Sequence, residues 1–255
     1  MSGLLAVFLP PGVSAGETAL LVGASGFGSF VTAAFGAGGG VMLLGVMTVY
    51  LPTAVAIPLH GVVQAGSNVG RTAILWRHVR WRPWLAFGLG SAAGAAAGGA
   101  LLVRVPAGIL DLALGVFLLW SCLGRGIGHG RATRTVLFAG GAATGLLTLF
   151  AGATGPLVAG LIRRLGFDRL AHMATFSACM VGQHGLKIAV FGLAGFGFAA
   201  YAPLLLAMLA AGFAGTVLGR LVLGRLDDRL FRRALTVLLV LIALRLLHAG
   251  VSALA

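Results

Sequence analysis

Two pairs of polar residues interrupt long apolar stretches of the chain. Asn68 stands three residues before Arg71, and Gln183 stands four residues before Lys187. At these spacings the two members of a pair share one face of a helix. An amide donates two hydrogen bonds and a cation supplies charge, so each pair could bind an oxyanion. The alternatives are that the cations extend to the nearest polar surface and that the amides bond to neighbouring helices.

Glycine-containing breaks interrupt two other apolar stretches. The first is "FGAGGG" at residues 35–40, and the second is "GATGP" at residues 152–156. A helix that restarts after a break presents unpaired N–H groups and the positive end of its dipole, and glycine lets a ligand approach the backbone. Two facing breaks would form an anion site, whereas the alternative is tight helix packing through small residues. The candidate residues are Gly38, Gly39, Gly40, Thr154 and Gly155.

Histidines are the groups in these stretches whose charge changes near neutral pH. His60 and His184 lie in corresponding stretches of the two halves, and His172 is a third candidate. We therefore consider His60 and His184 for proton coupling, with a packing or interhelical role as the alternative. The five Asp and Glu residues lie near the ends of the apolar stretches, so a carboxylate relay is missing from the pattern. An anion driven by the membrane potential needs no relay.

The composition of the chain is that of an integral membrane protein. Of the 255 residues 59% are hydrophobic and 9% are charged, and the mean hydropathy is +1.05. A soluble domain carries roughly 25% charged residues. The net charge of +13 comes from arginines in short clusters between apolar runs. This distribution indicates how the chain is oriented in the membrane and does not indicate a nucleic-acid partner. We predict neither a cofactor nor a metal site.

The apolar runs form two similar series, each consisting of a long run, a break, a short run and three further runs. The first series comprises residues 17–35, 41–51, 53–76, 84–103 and 107–123, and the second comprises 135–150, a short run to 162, 168–191, 200–220 and 230–249. We predict an all-α polytopic membrane protein of two repeats, each a broken hairpin followed by three transmembrane helices. The predicted parts are a lead-in (1–16), repeat 1 (17–123), a basic cytoplasmic linker (124–134) and repeat 2 (135–255).

The arginine clusters predict that the two repeats have opposite orientation. Basic residues favour cytoplasmic loops, and four clusters hold 14 of the 18 basic residues. All four lie on one side only if the first two segments of each repeat enter and return as a hairpin. Repeat 1 then begins outside and repeat 2 begins inside, so both termini are predicted to be periplasmic. The clusters are Arg77, Arg80 and Arg82; Arg125, Arg131 and Arg134; Arg163, Arg164 and Arg169; and Arg220, Arg225, Arg229, Arg232 and Arg233.

Sliding the second half over the first gives a match of low identity, so the inverted orientation rests more on the arginine clusters. At an offset of 115 residues Gly40 falls on Gly155 and Asn68 falls on Gln183, and one further residue of slip places Arg71 on Lys187. Inverted repeats with broken helices are a recurring construction of secondary transporters, whose substrate binds near the midplane where the repeats meet.

The two break regions resemble a known family. Residues 35–81, beginning "FGAGGGVMLLG", look like the first-repeat signature of the sulfite exporter TauE/SafE family of bacterial permeases, and residues 150–192, beginning "FAGATGPLVAG", are similar to its second-repeat signature. The resemblance extends from about residue 19 to residue 249. It implies transport of sulfite, organosulfonates or related oxyanions and organic acids across the inner membrane.

The sequence therefore predicts a non-enzymatic permease that moves a small anion by alternating access. Two alternatives remain open. One is a membrane scaffold subunit that transports nothing, which predicts no polar cavity between the halves. The other is an intramembrane serine protease, because "GASG" at residues 23–26 would make Ser25 a nucleophile with His184 or His248 as its base. The expected partners are a small anion and the bilayer, and the sequence allows a homodimer.

Overall fold

Helices make up all the regular secondary structure in the described part of the chain. The computed structural model describes residues 9–10, 12–35, 38–102, 105–123, 131–221 and 228–254. Short 3-10 turns at Trp76–His78 and Phe198–Tyr201 precede the fourth and ninth α-helices, and the predicted all-α class is confirmed. In chain order the α-helices are α1 (Ala15–Phe35), α2 (Gly39–Tyr50), α3 (Thr53–Ile74), α4 (Trp81–Leu102), α5 (Ala107–Leu123), α6 (Arg134–Phe150), α7 (Gly155–Arg163), α8 (Arg169–Leu193), α9 (Ala202–Leu221) and α10 (Asp228–Leu254).

The two short helices follow the two glycine-containing breaks. Gly38 precedes α2 with φ +99° and Gly152 lies between α6 and α7 with φ +68°, a backbone region that favours glycine. Pro156 occupies the first turn of α7, where its missing N–H costs nothing. With 12 and 9 residues, α2 and α7 are too short to cross about 30 Å of hydrocarbon. Residues 36–37 of the first break lie outside the described residues.

Three described helical segments are long and apolar enough to cross a membrane. They are Trp81–Leu102, Phe198–Gly219 and Leu235–Leu254. The 22 residues of α3 and the 25 residues of α8 have the length to span but carry the polar side chains of the candidate site. Residues 124–130 of the predicted linker, which include Arg125, and the segment with Arg225 lie outside the described residues.

Glycines allow the helices α4 and α6, and the helices α9 and α1, to pack closely. An added Cβ on Gly94 of α4 would lie 1.9 Å from the carbonyl oxygen of Ala142 in α6. In the same way, a Cβ on Gly215 of α9 would lie 1.9 Å from the carbonyl oxygen of Gly26 in α1. Backbones this close leave no room for a side chain, as is typical of membrane helix pairs. The other extensive helix pairs are α3 with α8 and α5 with α10.

The start of α8 is held by a side-chain cap. The Asp168 carboxylate accepts a hydrogen bond from the backbone N–H of Ala171 at 2.9 Å. This bond stabilises the charged form and lowers the pKa of Asp168 below its ordinary value. The cap fixes the first residue of the helix whose later turns carry Gln183, His184 and Lys187.

Candidate functional site

Both helix breaks border one small cavity between α1, α2, α3, α7 and α8, which we call the central cavity. The cavity measures about 60 Å³, enough for about two water molecules or one small ion, since a water in the liquid occupies about 30 Å³. It brings together candidates from distant parts of the sequence, and no Asp or Glu is among the described residues that line it. Those residues are Thr32, Gly38, Gly40, Val41, His60, Gln64, Asn68, Arg71, Ala153, Thr154, Gly155, Pro156, Ala159, Phe176, Met180 and His184.

One wall of the cavity is a polar stripe on α3. His60, Gln64, Asn68 and Arg71 follow one another at intervals of four, four and three residues, which places them on one helix face. The Arg71 guanidinium is partly buried, and its Nε and Nη2 lie 3.4 Å from the Ser67 carbonyl oxygen and 3.3 Å from Ser67 Oγ. These long contacts within its own helix leave the guanidinium available to a ligand.

Asn68 has an incomplete set of hydrogen bonds. Its Nδ2 donates to the carbonyl oxygen of Gln64 at 2.8 Å. Its Oδ1 is buried and has no hydrogen-bond partner within the described structure. The Gln64 carbonyl oxygen can only accept, so this contact fixes Nδ2 there and leaves Oδ1, an acceptor, as the free atom. An unpaired buried amide end on the wall of a cavity is a group that a ligand would complete.

The two candidate histidines meet at the cavity. Their rings lie edge to face with 5.9 Å between centroids. His60 Nε2 lies 2.9 Å from the carbonyl oxygen of Gly40, so His60 contacts the first turn of α2. The Nδ1 atoms of His60 and His184 are buried without a hydrogen-bond partner among the described residues. His172 lies in the first turn of α8, away from the lining described above.

Gln183 and Lys187 contact the second break and do not line the cavity. Thr154 Oγ1 donates to Gln183 Oε1 at 2.6 Å, and Gln183 Nε2 donates to Thr144 Oγ1 at 2.7 Å. The fully buried Lys187 Nζ donates to the carbonyl oxygen of Gly152 at 2.7 Å. Both side chains therefore hold the non-helical backbone between α6 and α7. Their predicted role as direct ligands stays a prediction, and their observed contacts are with the protein.

The family model described as "Sulfite exporter TauE/SafE" matches residues 20–246, nearly the whole chain. The chain belongs to the TauE/SafE family. This family consists of membrane transporters, so the chain is a membrane protein with a permease role. No curated protein and no solved structure matches it.

The glycines of the first break in this TauE/SafE chain have different neighbours. A Cβ on Gly39 would lie 1.8 Å from the carbonyl oxygen of Gly28, so Gly39 allows α1 and α2 to touch. A Cβ on Gly40 would lie 2.9 Å from Nε2 of Gln64, the mobile end of a cavity-lining side chain. Gly39 thus serves helix packing, whereas Gly40 borders the cavity.

These neighbours predict different results for two alanine substitutions. Gly39→Ala should lower the yield of folded protein, because its Cβ meets backbone that cannot move aside. Gly40→Ala should fold, because the Gln64 amide can turn away, but it should weaken small-anion binding at least about tenfold, an effect of about 1.4 kcal/mol. Monodispersity on size-exclusion chromatography and anion binding to the purified proteins check the two results. Full binding by Gly40→Ala would show that the cavity does not hold the anion.

Gln64 and Arg245 of the TauE/SafE chain were not among the candidates predicted from the sequence. Gln64 completes the four-residue spacing between His60 and Asn68, and that spacing was the signal that could have found it. Arg245 of α10 donates from Nη1 to the carbonyl oxygen of Thr48 at 2.8 Å, near the end of α2. A cation at this position interacts favourably with the negative, C-terminal end of the α2 dipole. Nothing in the local sequence around Arg245 indicates that partner.

Ser25, the nucleophile of the protease alternative, is engaged in helix packing. Its hydroxyl is fully buried and donates to the carbonyl oxygen of Met208 on α9 at 2.7 Å. Ser25 is also absent from the lining of the cavity that contains His184. Membership of a transporter family agrees with a non-enzymatic role.

Proposed function

We propose that the chain is a secondary transporter that moves a small anion, such as sulfite, an organosulfonate or a small organic acid, through the central cavity by alternating access. The observation that carries this proposal is the position of Arg71 and Asn68 beside two helix breaks. The guanidinium offers charge-assisted hydrogen bonds that suit an oxyanion. The free Oδ1 of Asn68 would accept a hydrogen bond from a protonated anion or from a water bound with it. Irregular backbone at membrane depth is tolerated where it lines a cavity or is buried in protein, and the cavity satisfies that condition.

Roles within the site follow from the contacts of each residue. Arg71 and Asn68 are proposed ligands of the anion, together with the backbone at Gly38, Gly40 and Gly155. Thr154 is positioned by Gln183 at the start of α7. Gln183 and Lys187 are proposed positioning residues.

Two inverted repeats would explain how the helices pair. If α1–α5 correspond in order to α6–α10, then α4 corresponds to α9 and α6 corresponds to α1. The pair α4 with α6 is then equivalent to the pair α9 with α1, and both pairs pack extensively. At an offset of 116 residues, the α3 residues His60, Gln64 and Asn68 correspond to the α8 residues Phe176, Met180 and His184, and all six line the cavity. The same offset places Arg71 on Lys187. On this alignment the counterpart of Asn68 is His184, whereas the sequence offset of 115 matched it with Gln183.

We also propose the membrane, the orientation and the partners of the transporter. The arginine clusters favour a bacterial inner membrane with both termini in the periplasm, and the partners are the small anion and the bilayer, with no nucleic acid. A homodimer is compatible with the sequence. His60 and His184 are the proposed groups for proton coupling, because their rings meet beside the anion cavity.

Flux measurements in proteoliposomes test the proposal. Purified protein is offered sulfite, sulfate, a small organosulfonate and a small carboxylate, each with and without an imposed pH gradient. We expect saturable movement of at least one of these anions, and acceleration by the gradient if His60 and His184 carry protons. Empty liposomes give the background. If folded protein moves none of the four anions, the proposed function is wrong.

A further inference from the structure

A second, larger cavity adjoins the central one. It measures about 510 Å³ and lies between α1, α3, α9 and the start of α8. This volume is within the range of roughly 300–1,000 Å³ typical of pockets for drug-sized ligands. Arg71 and Thr32 line both cavities, so these two residues lie at the boundary between the two spaces.

The lining of the larger cavity is amphipathic. Apolar side chains of three helices form most of it, including Val63 of α3, Met173 of α8 and Leu209 of α9. Two cations also border it, Arg71 in the wall and the exposed Arg169 at the first turn of α8. No Asp or Glu is among the described residues that line it. A ligand that matches this surface has an apolar body and one anionic head.

We propose that the larger cavity is a binding site for a free single-chain amphipathic anion, whose head pairs with Arg71 and whose chain lies between α3 and α9. The charge of Arg71 and the apolar walls together select this class. The volume accommodates one short alkyl chain. Because Arg71 also lines the small cavity, the amphipathic anion and the small transported anion compete. That competition rests on the proposed function, but binding in the larger cavity does not.

Gly70 offers a way to fill this cavity with little disturbance. It lies on α3 in the cavity wall, and a Cβ there would have nothing within 4 Å. Gly185 on α8 is a matched control, because a Cβ there also meets open space and the residue lies on the exposed face of its helix. Leucine at Gly70 therefore occupies the proposed site, and leucine at Gly185 does not.

Equilibrium binding of radiolabelled octanesulfonate to the protein in nanodiscs tests the site, with protein-free nanodiscs subtracted. We expect saturable binding that Gly70→Leu weakens at least about tenfold, because exclusion of about two methylenes accounts for that loss. Arg71→Gln should also weaken it, whereas Gly185→Leu should bind like the wild type. Equal binding by Gly70→Leu and Gly185→Leu would overturn the proposal.

Two further binding measurements identify the class of ligand. Uncharged octanamide should compete poorly with octanesulfonate, and equally strong competition would show that the head charge is irrelevant and overturn the proposed class. Replacing phosphatidylcholine by phosphatidylglycerol in the nanodisc should leave binding unchanged, and displacement by this anionic lipid would make a phospholipid the occupant instead.

In flux assays octanesulfonate should raise the half-saturation concentration of the small anion. If no small anion moves but octanesulfonate still binds as described, the proposed function fails and the second site stands.

Discussion

Arg71→Gln should raise the half-saturation concentration for small-anion uptake about 10- to 150-fold, because a hydrogen bond to a charged group contributes roughly 1.5–3 kcal/mol. Arg71 is the cation that borders the central cavity, and its contacts with Ser67 are long. Glutamine keeps a polar side chain of intermediate length but removes the charge. Initial rates of uptake into proteoliposomes, measured over a range of anion concentrations, give the result.

Arg77→Gln is the matched control for Arg71→Gln. Arg77 is exposed, lies six residues further along and has its guanidinium 5.6 Å from the ring centroid of Trp76. We expect it to leave the half-saturation concentration within about twofold of the wild type, as surface substitutions usually have small effects. Should folded Arg71→Gln protein match the wild type in uptake, Arg71 would not be a ligand of the anion.

Lys187→Ala should affect transport in a different way, because Lys187 holds the second break and does not line the cavity. The maximal rate should fall by up to about 100-fold, the effect that a displacement of about 1 Å can have on a site. The half-saturation concentration should change much less. The protein should also lose about 1–3 kcal/mol of stability, since the buried carbonyl of Gly152 would lose its donor. Uptake kinetics and thermal unfolding of the purified protein measure the two effects.

Leu186→Ala controls for truncation on the same helix. Leu186 precedes Lys187, is partly exposed and is absent from the cavity lining. Its maximal rate of uptake should remain close to that of the wild type. A rise in half-saturation concentration for Lys187→Ala at an unchanged maximal rate would instead make Lys187 a ligand and contradict its positioning role.

The helices were predictable because the signals that define them are local. Apolar runs of the right length predicted the long helices, and Gly and Pro predicted where α2 and α7 begin. The run expected at residues 53–76 is α3, which ends at Ile74, and the run at 107–123 is α5 with the same bounds. At other helix ends the expected and observed bounds differ by a few residues. Flanking residues such as Trp81 and Arg169 can lie either in the helix or just before it, and hydropathy does not distinguish the two.

The candidate site was predictable only in part. His60, Asn68, Arg71 and His184 were identified as polar residues in apolar runs, and all four line the central cavity. Gln183 and Lys187 were identified by the same rule, but their polar atoms bond to Thr154, Thr144 and Gly152 instead. Helical spacing shows that two side chains share a face, but it does not show which backbone lies opposite that face.

Hydropathy and backbone preference act within a few residues along the chain, so the membrane class, the helices, the two breaks and the candidate anion-binding residues could be predicted from the sequence. Which of these residues meet depends on how the helices pack. The approach of α3 to α8 brings His60 beside His184, and the gap between α3 and α9 creates the larger cavity. These contacts depend on packing between helices far apart in sequence, where Gly61 and Gly66 of α3 leave room for side chains of α8 and α9.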